Sequence, residues 1–141
     1  RIAHWMAQQS AELLPKEHPV LQCDGIVPVP LHHSRQRKRG FNQVTGFGQY
    51  WATRLDVPFL DHLLLRKNQT RTLVHMSRES RWEEVKNAFS IRPRKEYKHL
   101  LLVDDVITTG ATLTACGNIL LNGACDKISV MGVAFAQNIL P

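Results

Sequence analysis

The sequence predicts an α/β domain with three layers and a mainly parallel central sheet, and two observations carry this prediction. Continuous apolar runs at 99–103 and 128–135 are typical of strands that are buried on both faces. Between them, 109–121 has the spacing of a helix that stops near Asn122-Gly123. A strand, a helix and a strand of these lengths form a parallel crossover. The predicted central strands are 26–30, 99–104 and 127–135.

The earlier elements follow from periodicity and from proline positions. Residues 2–14 have helical spacing and precede Pro15, and 41–55 repeats apolar residues at helical intervals. Two prolines limit the strand at 26–30, so it is predicted to be short and to end at Pro30. The remaining predictions are a strand at 60–65, a long loop at 68–80, a helical turn at 81–86 and a short strand at 88–91.

Length and charge restrict the class of protein. The chain has 141 residues, and 43% of them are hydrophobic, which fits one globular domain spanning 1–141. No apolar run is long enough to cross a bilayer. The net charge of +6 is concentrated in the first two thirds, which indicates either anionic partners or a solvated basic surface. Because the first residue is Arg1, we expect an N-terminal module to be missing from this chain.

The cysteines and histidines do not predict a metal site. Cys23, Cys116 and Cys125 have no metal-ligand spacing, and they are interpreted as small buried residues in a reducing, cytoplasmic setting. The seven histidines contain no pair with ligand spacing on a predicted helix, so no metal bound by protein side chains is expected.

One segment carries a distinct chemical pattern at the end of an apolar strand. Asp104 and Asp105 follow the strand directly, and a loop of hydroxyl residues with one glycine then leads into a helix. The free N–H groups and the dipole at the helix start suit a phosphate group. The two carboxylates repel phosphate and suit hydroxyl groups or a metal ion, so ribose 5-phosphate matches both halves. The alternative is a strand, turn and helix with a capping threonine and solvated acids.

This segment resembles the signature of type I phosphoribosyltransferases, which use phosphoribosyl pyrophosphate (PRPP). The resemblance implies the fold of that class and catalytic roles for Asp104 and Asp105, which would hold the ribose hydroxyls. It also implies that Mg²⁺ is bound together with PRPP. The residues that it assigns to the 5′-phosphate are Thr108, Thr109, Gly110, Ala111 and Thr112.

A second segment combines a Val-Pro-Val-Pro-Leu sequence at 27–31, a basic loop and Arg-Gly-Phe-Asn-Gln at 39–43. With the first segment, it resembles the ComF and GntX-like competence family, whose domain is similar to that of the amidophosphoribosyltransferases. Arginine forks suit pyrophosphate. A solvated loop or a nucleic-acid contact remains the alternative. The pyrophosphate residues that the resemblance implies are Leu31, His32, Arg37 and Arg39.

A third segment, 70–89, corresponds to the region that forms a mobile flap over the reacting centre in phosphoribosyltransferases. Arg71, Arg78 and Arg81 are the flexible-loop residues that would close on pyrophosphate, and an ordinary surface loop is the alternative. Leu73 and Glu84 depart from the family pattern at positions where Gln and Asn are common. Family members often carry an upstream four-cysteine zinc module, which this chain lacks.

Two functions are therefore expected. The first is transfer of the phosphoribosyl group from PRPP to an unidentified acceptor. The second is handling of single-stranded DNA together with competence proteins, in which case the site binds nucleotide or PRPP without turnover. PRPP consumption tests the first, and salt-dependent binding of DNA tests the second.

Overall fold

The protein is described by a computed structural model that covers residues 2–31, 43–67, 77–92 and 96–136. In chain order its elements are α1 (Ile2–Leu13), a 3₁₀ helix (Pro19–Gln22), β1 (Gly25–Pro28), α2 (Gln43–Leu55), β2 (Leu64–Arg66), α3 (Arg78–Asn87), β3 (Phe89–Ile91), β4 (Tyr97–Ile107), α4 (Ala111–Gly123) and β5 (Cys125–Phe135).

A parallel sheet forms the centre of the fold. Its strand order is β1-β4-β5, with both neighbouring pairs parallel, which confirms the three predicted central strands. The strand predicted at 60–65 begins later, as β2 at Leu64, and the strand predicted at 88–91 appears as β3. These two strands pair antiparallel in a separate sheet. The sequence did not predict that pairing, because short apolar runs carry no information about their partners.

The middle strand β4 explains why the fold has layers on both sides of the sheet. Successive residues of a strand point to opposite faces. Leu100 and Leu102 are fully buried in a core that includes residues of α4, β2 and β3. Leu101 and Val103 are equally buried in a second core, against α1 and α2. A strand that is apolar at every position is therefore required here.

Pro28 lies in β1 without breaking the sheet because of the direction in which its nitrogen points. The N–H of Ile26 donates to the carbonyl of Pro58 on the outer side of β1 at 3.0 Å. The N–H of Val29 donates to Val103 of β4 at 2.8 Å, on the inner side. Alternation places the nitrogen of Pro28 on the outer side, so no bond to β4 is lost.

Helices α1 and α2 pack together through small and aromatic residues. The buried face of α1 consists of alanines at four-residue intervals, namely Ala3, Ala7 and Ala11. The fully buried Trp51 of α2 donates its indole N–H to Ser10 Oγ at 3.2 Å. This bond satisfies the one polar atom of a large buried ring.

Gly48 allows α2 to approach β4 closely. A Cβ at this position would lie 2.5 Å from Phe59 Cε2 and 3.3 Å from Val103 Cγ2. We expect Gly48→Ala to lower the free energy of unfolding by about 1–3 kcal/mol, because overpacking forces shifts in the neighbours. Gly46→Ala is the matched control, since its Cβ would lie 3.4 Å from Ala3 Cβ, an ordinary contact. Urea denaturation of both variants measures the difference, and equal stabilities would contradict the packing argument.

Two sequence predictions are corrected by the structure. The last residues of the loop predicted at 68–80 are helical instead, because Ser77 caps a helix that begins at Arg78, its side chain accepting the N–H of Ser80 at 3.2 Å. Residues 68–76 lie outside the described ranges. That helix, α3, replaces the single helical turn predicted at 81–86.

The predicted burial of the three cysteines is confirmed, and all three are free thiols. In the described part of the chain, no helix has the length and apolar character needed to cross a membrane.

Candidate functional site

The two carboxylates lie at the carboxyl edge of the parallel sheet. The strand was predicted to stop at them, but β4 continues to Ile107, because β5 keeps pairing with it as far as Phe135. Pairing with β1 ends at Val103, opposite Pro28. Asp104 and Asp105 therefore lie just beyond the last residue of β4 that pairs with β1. Ligands of open α/β sheets bind at the carboxyl ends of strands in such a position.

Asp104 is a buried acid, with 8% of its surface exposed. Its Oδ1 accepts the N–H of Asp105 at 2.8 Å. Burial raises the pKa of Asp104 to about 6, and the neighbouring charge of Asp105 adds to the rise, while the hydrogen bond from the Asp105 backbone opposes it. A carboxylate held in this way is poised to accept a hydroxyl hydrogen bond, which would compensate for its lost hydration.

Asp104 and Asp105 differ in exposure, although their carboxyl groups are close enough to interact. Burial raises the pKa of Cys116 in α4 to about 12, and the negative charge of Asp104 adds to this rise. The carboxylate of Asp104 therefore lies on the α4 side of the sheet. Asp105 is half-buried, and its Oδ1 accepts the N–H of Val106 at 2.7 Å. The two predicted catalytic acids therefore do not have equivalent surroundings.

The loop after β4 ends in an unusual backbone conformation. Gly110 has φ of +79° and is the N-cap of α4, with no side-chain capping bond. The oxygen of Gly110 accepts both the N–H and the Oγ1–H of Thr114, each at 2.9 Å. Thr109 Oγ1 accepts the N–H of Ala111 at 3.4 Å. The helix thus begins with its first turn uncovered by an N-cap side chain, and an anion could accept from its N–H groups.

Asp104 and the predicted phosphate residues come together in one hollow. This hollow measures about 30 Å³, and Asp105 is absent from the described residues that line it. The structure therefore brings together the predicted phosphate loop and one of the two acids. The lining residues are Asp104, Val106, Ile107, Thr108, Thr109, Gly110, Ala111, Thr112 and Leu113.

A larger cavity of about 890 Å³ lies beside this hollow, between α3 and α4. It shares Thr109 and Ala111 with the hollow. The sequence did not predict this cavity, because the segment that forms its wall has too little apolar periodicity to indicate more than a helical turn. Trp82, next to Arg81 in the sequence, was the one available signal. The described lining residues are Arg78, Glu79, Trp82, Glu83, Val85, Thr109, Ala111 and Thr114.

The predicted pyrophosphate and flap residues are only partly described. Leu31 is half-buried and lies just after β1, at the sheet edge where the acids begin. Arg78 and Arg81 lie in α3, where the sequence predicted a loop and a helical turn, and their role over the reacting centre stays a prediction. The other predicted residues, which lie outside the described ranges, are His32, Arg37, Arg39 and Arg71.

The acids do not belong to a metal-binding cluster. Within 2–31, 43–67, 77–92 and 96–136, no three His, Cys, Asp or Glu side chains are grouped so that they could hold a metal ion.

Relatives of this chain carry names from competence and DNA utilization. No protein-family model matches the chain. Competence protein F of Haemophilus influenzae is 36% identical over 142 residues, which cover 94% of this chain and 62% of that protein. DNA utilization protein YhgH of Salmonella typhi is 38% identical over 107 residues, or 76% of this chain and 47% of that protein. The chain thus spans about half to three fifths of the length of these relatives.

Solved structures with the same fold are phosphoribosyltransferases. The glutamine PRPP amidotransferase of Bacillus subtilis aligns with a TM-score of 0.56 and 18% identity over 93% of this chain and 25% of its own. An adenine phosphoribosyltransferase aligns with a TM-score of 0.58 and 16% identity over 96% of this chain and 70% of its own. At these identities the likeness shows the fold, and it confirms the predicted fold class.

Proposed function

Since the chain is a homologue of the competence F proteins and has the type I phosphoribosyltransferase fold, we propose that it binds PRPP and transfers the phosphoribosyl group to an acceptor. One observation carries the proposal: Asp104 and the loop at 108–112 line a single hollow at the carboxyl edge of the sheet. A ligand with a phosphate at one end and hydroxyl groups next to it matches this arrangement.

The ligand is oriented by opposite charges in the hollow. The 5′-phosphate accepts from the first-turn N–H groups of α4 and from the loop hydroxyls, because no N-cap side chain occupies that position. The ribose hydroxyls donate to Asp104, which repels phosphate and so excludes the reverse orientation. Asp105 contributes a second negative charge next to Asp104 and stabilises positive charge on the sugar.

Transfer is a displacement at C1 of the ribose. The bond from C1 to pyrophosphate breaks and its electron pair leaves with the pyrophosphate, while a lone pair of the acceptor forms the new bond and the acceptor's proton passes to solvent. The sugar becomes positively charged in the transition state, which the carboxylates favour. Mg²⁺, when bound together with PRPP, would supply positive charge for the leaving group. The pyrophosphate extends towards the segment after β1, whose residues Leu31, His32, Arg37 and Arg39 are proposed to hold it.

Gly110→Ala tests the phosphate loop. Alanine at φ of +79° costs about 1–2 kcal/mol of backbone strain, although its Cβ would meet no atom within 4 Å. Relief of that strain rotates the first-turn N–H groups away from the phosphate, so we expect PRPP affinity to fall at least tenfold. Calorimetric titration with PRPP and Mg²⁺ measures this loss.

Gly117→Ala is the matched control for this variant. Gly117 lies in the same helix, and a Cβ there would also meet no atom within 4 Å. This variant should keep the parent affinity and gain helix stability. If Gly110→Ala also binds PRPP as the parent does, the phosphate site is wrongly assigned.

The names of the relatives favour a second candidate function. In that case the protein handles single-stranded DNA with competence proteins, and the site binds a nucleotide or PRPP without turnover. Incubation with PRPP, Mg²⁺ and a panel of nucleobases and amines separates the two candidates. Release of pyrophosphate that depends on an acceptor supports transfer, whereas binding of PRPP without release supports the second candidate.

A further inference from the structure

The cavity between α3 and α4 has the size and lining of a small-molecule site. Its volume of about 890 Å³ lies in the range of sites for ligands of nucleotide size. Trp82 lines it and is 47% exposed, while Val85 in the next turn of α3 is half-buried against the core. An aromatic ring with an open face is a stacking surface for a nucleobase.

The charged side chains around the cavity determine which chemical groups of a ligand it favours. Two carboxylates, Glu79 and Glu83, and one guanidinium, Arg78, are among the described lining residues. A second phosphate is therefore disfavoured by the excess negative charge. A neutral ring that donates N–H groups can donate to the carboxylates while it stacks on Trp82.

The cavity adjoins the proposed phosphate site, and its position indicates which end of a ligand bound there a group in the cavity would be next to. Thr109 and Ala111 line both the cavity and the phosphate hollow. Neither Asp104 nor Asp105 is among the described residues that line the cavity. An occupant of the cavity is thus next to the 5′-phosphate and away from the ribose, so it is not the group that attacks C1.

We propose that the cavity binds the nucleoside that precedes a 5′-phosphate held in the loop, so that the site accepts the last two nucleotides at the 3′ end of a single strand. This inference rests on the proposed phosphate site. The linking phosphate lies on the N-terminus of α4, the terminal sugar donates its free 3′-hydroxyl to Asp104, and the preceding base stacks on Trp82.

Two matched ligands test the cavity separately from the loop. Adenylyl-(3′→5′)-adenosine and adenosine 5′-(methyl phosphate) carry the same singly charged diester and the same terminal ribose, but only the first has a preceding nucleoside. We expect the first to bind about tenfold more tightly, from the stacking of one base. Addition of a 3′-phosphate should abolish the binding of both, because the acids repel it.

Tryptophan variants assign the gain to the cavity. Trp82→Ala should remove the tenfold difference and leave the methyl ester affinity unchanged, whereas Trp82→Phe should keep most of the difference. Trp5→Ala is the matched control, since Trp5 is 61% exposed on α1, in the other helical layer. In a Trp5→Phe background, the dinucleotide should quench the fluorescence of Trp82, because Trp51 is fully buried.

The results distinguish failure of the inference from failure of the proposed function. If PRPP and the methyl ester bind but the dinucleotide gains nothing, or if Trp82→Ala and Trp5→Ala lose equally, the cavity inference is overturned and the loop site stands. If neither PRPP nor the methyl ester binds, the proposed function fails. Equal binding of the 3′-phosphorylated dinucleotide would also overturn the proposed orientation.

Discussion

Replacement of Asp104 and Asp105 together by asparagine is expected to weaken PRPP binding by about ten- to a hundredfold and to leave the binding of inorganic phosphate unchanged or slightly tighter. Each hydrogen bond from a hydroxyl to a carboxylate contributes about 1.5–3 kcal/mol, and the amides keep the shape but lose the charge. Phosphate makes no favourable contact with the acids, so removal of their negative charges can only help it.

The single variants sharpen this prediction. Asp104 lines the phosphate hollow and Asp105 does not, so Asp104→Asn alone should account for most of the loss. Titration of PRPP and of phosphate against the parent, both single variants and the double variant gives the complete comparison. Equal losses for the two ligands would mean that the acids hold the loop in shape, and the ribose role would be abandoned.

Asp104→Asn is also expected to stabilise the protein without ligand by about 2–3 kcal/mol at pH 7–8. The pKa of Asp104 rises from 3.8 to about 6 on folding, so the folded state binds this proton more tightly than the unfolded state. The acid therefore favours folding fully below pH 3.8, and this contribution is lost as the pH rises through about 6. A shift of about two pKa units corresponds to about 3 kcal/mol.

Denaturation of parent and variant between pH 4 and 8 tests this sign. The stability difference should be largest above pH 6 and vanish towards pH 4. His99 changes the stability of both proteins, since burial, followed by the charge of Lys127, lowers its pKa, but this effect cancels in the difference. Glu12→Gln, at an exposed position on α1, controls for the altered net charge. A difference that is constant with pH would contradict the buried-charge explanation.

The sequence predicted the central sheet because its strands are apolar at every position. A strand that is covered on both faces buries Leu100 through Val103 at once, so this apolar run, followed by a helix and a second apolar run, indicated layers on both sides of the sheet. The phosphate loop was predictable for a similar reason, since Gly110 and its hydroxyl neighbours stand at a point where a strand must become a helix. That local order needs no information about distant residues.

What the sequence did not predict depends on contacts between distant residues. The extension of β4 beyond Asp104 requires the pairing with β5, which overrides the weak strand tendency of two adjacent acids. The start of α3 at Arg78 depends on the Ser77 cap within a segment that lacks apolar periodicity. The cavity beside Trp82 arises from the packing of α3 on α4, which neither helix specifies alone.

The pairing of β1 with β4 has a consequence for the order in which the protein assembles. The carboxylate of Asp24, just before β1, accepts the N–H of His99 at 3.1 Å across 75 residues of chain. During synthesis, β1 therefore leaves the ribosome long before β4 has been made. Until then the apolar side chains of Ile26 and Val27 have no strand to pair with. Sheets that close over such separations fold slowly, and their waiting strands are open to aggregation. We expect the β1 amides to gain protection from hydrogen exchange after those of the β4–β5 pair during refolding.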